Sequence, residues 1–160
     1  MIHEVSGDIL LSKAQAIAHG VAPDDDFAQG LALALRENWP AMYKDFRHFC
    51  HTHHPKPGGA WSWGGPGVRV INLLTQEAPD HHRGHPGKAK LTHVRHALQE
   101  LRQIIMDESL RSVALPRVAT GVGGLDWDDV RPLIDQYLGD VEAEVYVYAD
   151  FKPGVKAAEA

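Results

Sequence analysis

Glycines and aspartates carry most of the chemistry legible in this chain. Residues 113–130 read VALPRVATGVGGLDWDDV. Val113, Ala114 and Leu115 suit a buried strand, and Pro116 closes it by removing a backbone donor. Asp126 stands at the N-cap position of a following helix, with Asp129 three residues on. Between them, Gly121, Gly123 and Gly124 allow positive φ and close approach of backbone to a ligand. Strand, glycine loop and helix N-terminus together present several free N–H groups to one point, which is how backbone holds a phosphate. The stretch is therefore expected to cradle a phosphate-bearing ligand.

Other groups could act beside it. Asp24, Asp25 and Asp26 precede Phe27-Ala28-Gln29-Gly30 and the helix-forming run LALALRENW. They either favour the helix dipole or form a second ligand loop, with Asp26 beside a ribose or a reacting water. Gly30 is costly at a helix start and points to close backbone approach. Asp8, in Gly7-Asp8-Ile9-Leu10, is a turn residue or a polar anchor for a ligand, the turn being favoured. His19 lies in the apolar run AQAIAHGV and reads as a hydrogen-bonded core histidine rather than a catalyst. Cys50, His51, His53 and His54 match no standard zinc spacing, and no second cysteine accompanies them, so no metal is expected. His81, His82 and His85 fall in a polar loop, 78–90, read as surface that meets a substrate only if it folds over the site.

These groups need a scaffold. The chain has 160 residues and suits one domain, 1–151, with a loose tail at 152–160. The formal net charge is −5, which argues against non-specific binding along nucleic acid but not against one anion held by backbone amides. A lone cysteine, no signal peptide and no membrane-length apolar run suit a cytoplasmic protein. Strands are expected at 2–5, 14–21, 68–75, 113–115 and 144–149, with Trp61 and Trp63 on one face of another. The apolar run VRVINLLT predicts a central strand. Helices are expected after Gly30, after Pro40, over 92–108 and after Asp126. Alternation of strands and helices indicates a layered α/β fold, with ligands at the carboxyl ends of the strands. Loops 23–30, 75–90 and 118–126 land there.

The glycine loop comes too late for a dinucleotide fingerprint, and no GKS or GKT follows it as a P-loop requires. The chain instead resembles the macrodomain family, from about Val5 to Tyr148. The marks are Gly7-Asp8-Ile9-Leu10, Ala18-His19 through Phe27-Ala28-Gln29-Gly30-Leu31-Ala32, and Leu115-Pro116-Arg117 through Gly121-Val122-Gly123-Gly124-Leu125-Asp126-Trp127. It looks most like the branch of terminal ADP-ribose protein glycohydrolases and antitoxin macrodomains that remove ADP-ribose from DNA. The resemblance implies a three-layer α/β/α fold around a mixed, mostly parallel sheet of about six strands. It implies a site for ADP-ribose or an ADP-ribosylated macromolecule, no cofactor and a monomer.

By the resemblance, Asp8 accepts from the adenine amino group, with Ile9 as its backbone neighbour and Tyr148 as the aromatic beside the base. Phe27, Ala28, Gln29 and Gly30 follow the diphosphate and terminal ribose. Ala119, Thr120, Gly121, Val122, Gly123, Gly124 and Leu125 wrap the diphosphate. In the glycohydrolase branch a nucleophilic lysine follows the threonine that Thr75 matches; here Gln76 stands there. Gly123 replaces an assisting aspartate. Those departures point to a water-mediated hydrolysis, with Asp26 or His19 orienting the water and Gln76 holding substrate. The alternative is a reader that binds ADP-ribose without chemistry.

Overall fold

The structure, a computed structural model, describes residues 1–81 and 84–159. His82 lies outside the described residues. Among the described residues, six strands form one sheet: β1 (Ile2–Gly7), β2 (Ala16–Val21), β3 (Ala60–Gly65), β4 (Val68–Leu74), β5 (Ser112–Pro116) and β6 (Glu144–Phe151). Their spatial order is β1-β6-β5-β2-β4-β3. All neighbours run parallel except β3, which pairs antiparallel with β4. This is the mixed, mostly parallel sheet that the sequence predicts.

In the described residues, four α-helices cover the sheet: α1 (Gly30–Asn38), α2 (Pro40–His53), α3 (Leu91–Asp107) and α4 (Trp127–Leu138). One core packs α3 and α4, through Val94, Leu98, Leu101, Val130 and Ile134, on Ala18, Ile71, Leu73, Val113 and Leu115. The other packs α1 and α2, through Leu35, Met42, Phe46 and Cys50, on Ile17, Val21, Val70 and Leu74. Successive strand residues point to opposite faces, so β2 and β4 feed both cores and need nearly continuous apolar runs. Two-sided burial, not a central position, explains the VRVINLL run: β4 is one strand in from the edge.

Two segments differ from expectation. Helix α2 continues through His48, Cys50, His51 and His53, the last three of which the sequence offers only as candidate metal ligands. Met42, Phe46 and Cys50 recur at four-residue steps and are buried beneath that polar surface. His54 caps the helix in the left-handed region, at φ 47°. Trp61 stacks on Phe49 at 5.1 Å, which gives this tryptophan its packing role. The segment read as a loose tail is tied to β1 and the 3-10 turn Ile9–Leu11. Lys152 N–H donates to Gly7 O at 3.0 Å, and Asp8 N–H to Val155 O at 2.7 Å. Among the described residues, no helix is long and apolar enough to cross a membrane.

A candidate active site at the carboxyl ends of the strands

β2, β4 and β5 run parallel and end at the same side of the sheet. A cavity of about 250 Å³ opens there. The loop before α1 supplies one wall through Asp25, Asp26, Ala28, Gln29 and Gly30. The loop after β5 supplies the other through Arg117, Ala119, Gly121, Val122 and Gly123. His19 and Gln76 stand between them at the ends of β2 and β4.

Both walls expose backbone donors. The N-cap Gln29 makes no side-chain hydrogen bond to α1, so the first N–H groups of that helix, at the cavity wall, have no side-chain cap. Across the cleft, Gly124 N–H donates to Gly121 O at 3.1 Å and Leu125 N–H to Ala119 O at 3.0 Å. These bonds close the loop. Among the described residues, no partner takes the N–H of Thr120, Gly121 or Val122. Ala119 holds φ 66°, a left-handed conformation that costs a non-glycine residue about 1 kcal/mol and marks a loop shaped for more than connection. Backbone N–H groups of this kind, on two walls of one cavity, are the donors with which proteins hold anions.

Asp25 shapes the first wall, a role the sequence did not single out among three aspartates. Its carboxylate is buried and accepts from Ala22 N–H at 2.9 Å and Phe27 N–H at 2.8 Å. Burial raises its pKa, against those two hydrogen bonds. The bonds hold Phe27 at φ 51° with its ring fully buried behind the cavity. Asp26 is more open; its carboxylate accepts from Ala28 N–H at 3.2 Å, and its carbonyl accepts from Arg36 at 2.9 Å.

His19 is both a core residue and a cavity residue. Its Nε2 lies 2.7 Å from Asn72 Oδ1, across the β2–β4 register that pairs the two residues. Asn72 Nδ2 faces Trp61 O at 3.5 Å and Met42 Sδ at 3.9 Å, so the amide oxygen is the atom turned to the ring. An oxygen there requires Nε2 to carry the proton, which leaves Nδ1 as an acceptor. Nδ1 is buried without a partner. Burial pushes the imidazole pKa down to about 4, against the bond to Asn72, so the ring is neutral near pH 7. Asn72 was missed in the sequence; the available signal was one amide inside an otherwise apolar strand.

Gln76 lines the cavity, and its amide donates to Gly87 O at 3.1 Å. This bond and the Gln76–Ala89 bridge fold the 75–90 segment toward the site. Glu77 pairs with Lys90 at 2.7 Å, and Ala89 N–H donates to Gly123 O at 2.9 Å. Thr75 is fully buried, with Oγ1 unpartnered.

The remaining expected residues lie apart from the cavity lining. Thr120 turns its hydroxyl to Arg117 O at 2.7 Å. Gly124 and Leu125 close the loop from behind. Asp8, Ile9 and Tyr148 sit over β1 and β6, two to three strands away from β2. Asp126 is the N-cap of α4, but its side chain makes no capping hydrogen bond. A second cavity, about 580 Å³, shares Asp25 and Asp26 with the first and is bordered by Arg47, Cys50, His51, His54 and His81. Among the described residues, no three His, Cys, Asp or Glu side chains gather to hold a metal ion.

The sequence model of the Macro domain matches residues 26–134. The DNA ADP-ribosyl glycohydrolase of Mycobacterium tuberculosis is 28% identical over 155 residues, covering 91% of this chain and 42% of that protein. The enzyme of the same name from Thermus aquaticus is 27% identical over 150 residues, covering 92% and 41%. This chain thus spans about two fifths of the length of these relatives. The solved macrodomain of Thermus aquaticus DarG superposes with a TM-score of 0.81 at 26% identity, covering 93% of this chain and 98% of that one. The family model covers more than half of the chain, and the chain belongs to the Macro domain family.

Proposed function

We propose that this chain binds ADP-ribose in the cleft and hydrolyses an ADP-ribosyl adduct, with ADP-ribosylated DNA as the substrate class. The observation that carries the reading is the pair of N–H-lined walls closing on a neutral, buried His19 with a free Nδ1. The walls suit a diphosphate. His19 Nδ1 and the Asp26 carboxylate suit a water poised at the anomeric carbon of the terminal ribose. In this scheme the water oxygen bonds to that carbon as the bond to the leaving group breaks. The water's proton goes to one of the two acceptors, and the departing group takes one up from solvent. Relatives named as DNA ADP-ribosyl glycohydrolases support the choice of DNA. Asp8 and Tyr148 would meet the adenine, beyond the closed end of the cavity.

A reader without chemistry is the second reading. It is favoured by Gln76, whose amide is spent on Gly87, and by Gly123 in place of an assisting carboxylate. One experiment separates the two: release of ADP-ribose from an ADP-ribosylated oligonucleotide, beside calorimetry with ADP-ribose. Hydrolysis predicts turnover that falls about 100-fold in His19→Gln, with the Kd for ADP-ribose held within about twofold. Binding without release by wild type establishes the reader. Full turnover by His19→Gln removes His19 from the mechanism.

A further inference from the structure

The cavity of about 250 Å³ falls below the roughly 300–1,000 Å³ usual for small-molecule sites. It spans the ends of β5, β2 and β4 and stops short of β6 and β1. Residues 152–159 run back across the carboxyl ends of β1 and β6. Gly154 N–H donates to Asp8 Oδ2 at 3.0 Å, and Leu10 N–H already holds Asp8 Oδ1 at 3.0 Å. Glu159 Oε2 accepts from the Tyr148 hydroxyl at 2.6 Å and from Ser12 Oγ at 2.6 Å, and Oε1 accepts from Lys13 N–H at 2.9 Å. Ala157 packs so close to Gly7 that a Cβ there would stand 2.9 Å from the Ala157 methyl.

We propose that residues 152–159 form an intramolecular strap that occupies the base end of the ligand cleft and is displaced when ADP-ribose binds. The proposal rests on the functional reading above, since it takes Asp8 and Tyr148 to be the base-holding pair. The strap answers both with groups like those of a base: an N–H for the Asp8 carboxylate and an acceptor for the Tyr148 hydroxyl. It is built to detach. Residues 152–156 are exposed and have no regular secondary structure, so release gives up a few hydrogen bonds and the Ala157 contact rather than core burial. Glu159 is the main latch, because three donors converge on one carboxylate.

The test compares wild type with Glu159→Ala in the full chain, using ADP-ribose and ribose 5-diphosphate, which has the diphosphate and terminal ribose but no adenosine. Opening the strap raises the fraction of binding-competent protein, so Glu159→Ala binds ADP-ribose about three- to tenfold more tightly. Ribose 5-diphosphate binds both proteins equally. In wild type, amide exchange of residues 152–159 speeds up when ADP-ribose is added. Equal or weaker ADP-ribose binding by Glu159→Ala, or exchange that slows on binding, overturns the strap while leaving the cleft assignment standing. Failure of both ligands to bind either protein at millimolar concentration overturns the functional reading and the strap with it.

Discussion

Asn72 decides which nitrogen of His19 can serve a ligand, and Gly123 decides how near the two loops can come. An ideal Cβ on Gly123 would lie 2.6 Å from Ala119 O and 2.9 Å from the Ala89 methyl. Real Cβ atoms do not approach backbone oxygen so closely, so the glycine is required by contact rather than by φ. The same residue accepts from Ala89 N–H, which makes it the point where the segment leading into α3 meets the loop after β5. This explains why an aspartate cannot simply be restored at 123. Gly123→Asp must push the loop from Ala89, and overpacking of this kind costs about 1–3 kcal/mol. The expected result is a Tm lower by about 2–12 °C, since each kcal/mol moves a chain of this size by about 2–4 °C. ADP-ribose affinity should fall as well. A variant as stable as wild type would show that the loop has slack that the contact distances deny.

At the scale of elements, the cleft depends on how one short turn delivers α1. The Asp25 carboxylate ties Ala22 to Phe27, and helix α1 begins three residues later with its amides toward the cavity. Asp25→Ala leaves two buried N–H groups without that partner, and the expected loss is about 2–4 kcal/mol in urea unfolding, with weaker ADP-ribose binding. Asp25→Asn keeps the volume but turns one acceptor into a donor facing an N–H, so it should recover only part of the loss. Unchanged stability in Asp25→Ala would mean that water replaces the carboxylate at no cost. Most elements were legible in the sequence because their signals are local. The β5 run ends in proline and glycine, and α3 repeats its apolar face from Val94 to Ile105. The two loops of the cleft followed from glycine spacing. Three features were not legible. The last turns of α2 carry histidines that mask a buried face only one residue wide. The His19–Asn72 pair joins residues 53 apart, and the Ser12–Glu159 bond joins residues 147 apart; neither leaves a trace in local pattern.

Across the whole molecule, one buried imidazole gives stability a pH dependence of its own. His19 is buried in β2 beside β4 and the turn bearing Phe27, whose ring meets it edge-on at 5.5 Å. Its pKa is about 4 in the fold against 6.5 in an open chain. Between those values the unfolded chain binds a proton that the folded one refuses, so stability rises with pH through this window. The contribution is complete above pH 6.5 and is lost as pH falls toward 4, amounting to about 3 kcal/mol at 1.36 kcal/mol per pKa unit. Against a total of roughly 5–15 kcal/mol that is a large share. Other groups act lower on the scale. Glu77, Asp140 and Glu144 are held below the usual carboxylate range by hydrogen bonds from Lys90, Arg102 and His3. Their stabilisation is lost only as pH drops through and below about 4. The difference between wild type and His19→Gln from pH 6.5 to 5 therefore isolates His19. Urea midpoints measured across that interval should fall more steeply for wild type than for His19→Gln, which cannot take up the proton at that position. Parallel slopes for the two proteins would mean that His19 titrates normally, which would also undo its assignment as a neutral acceptor in the cleft.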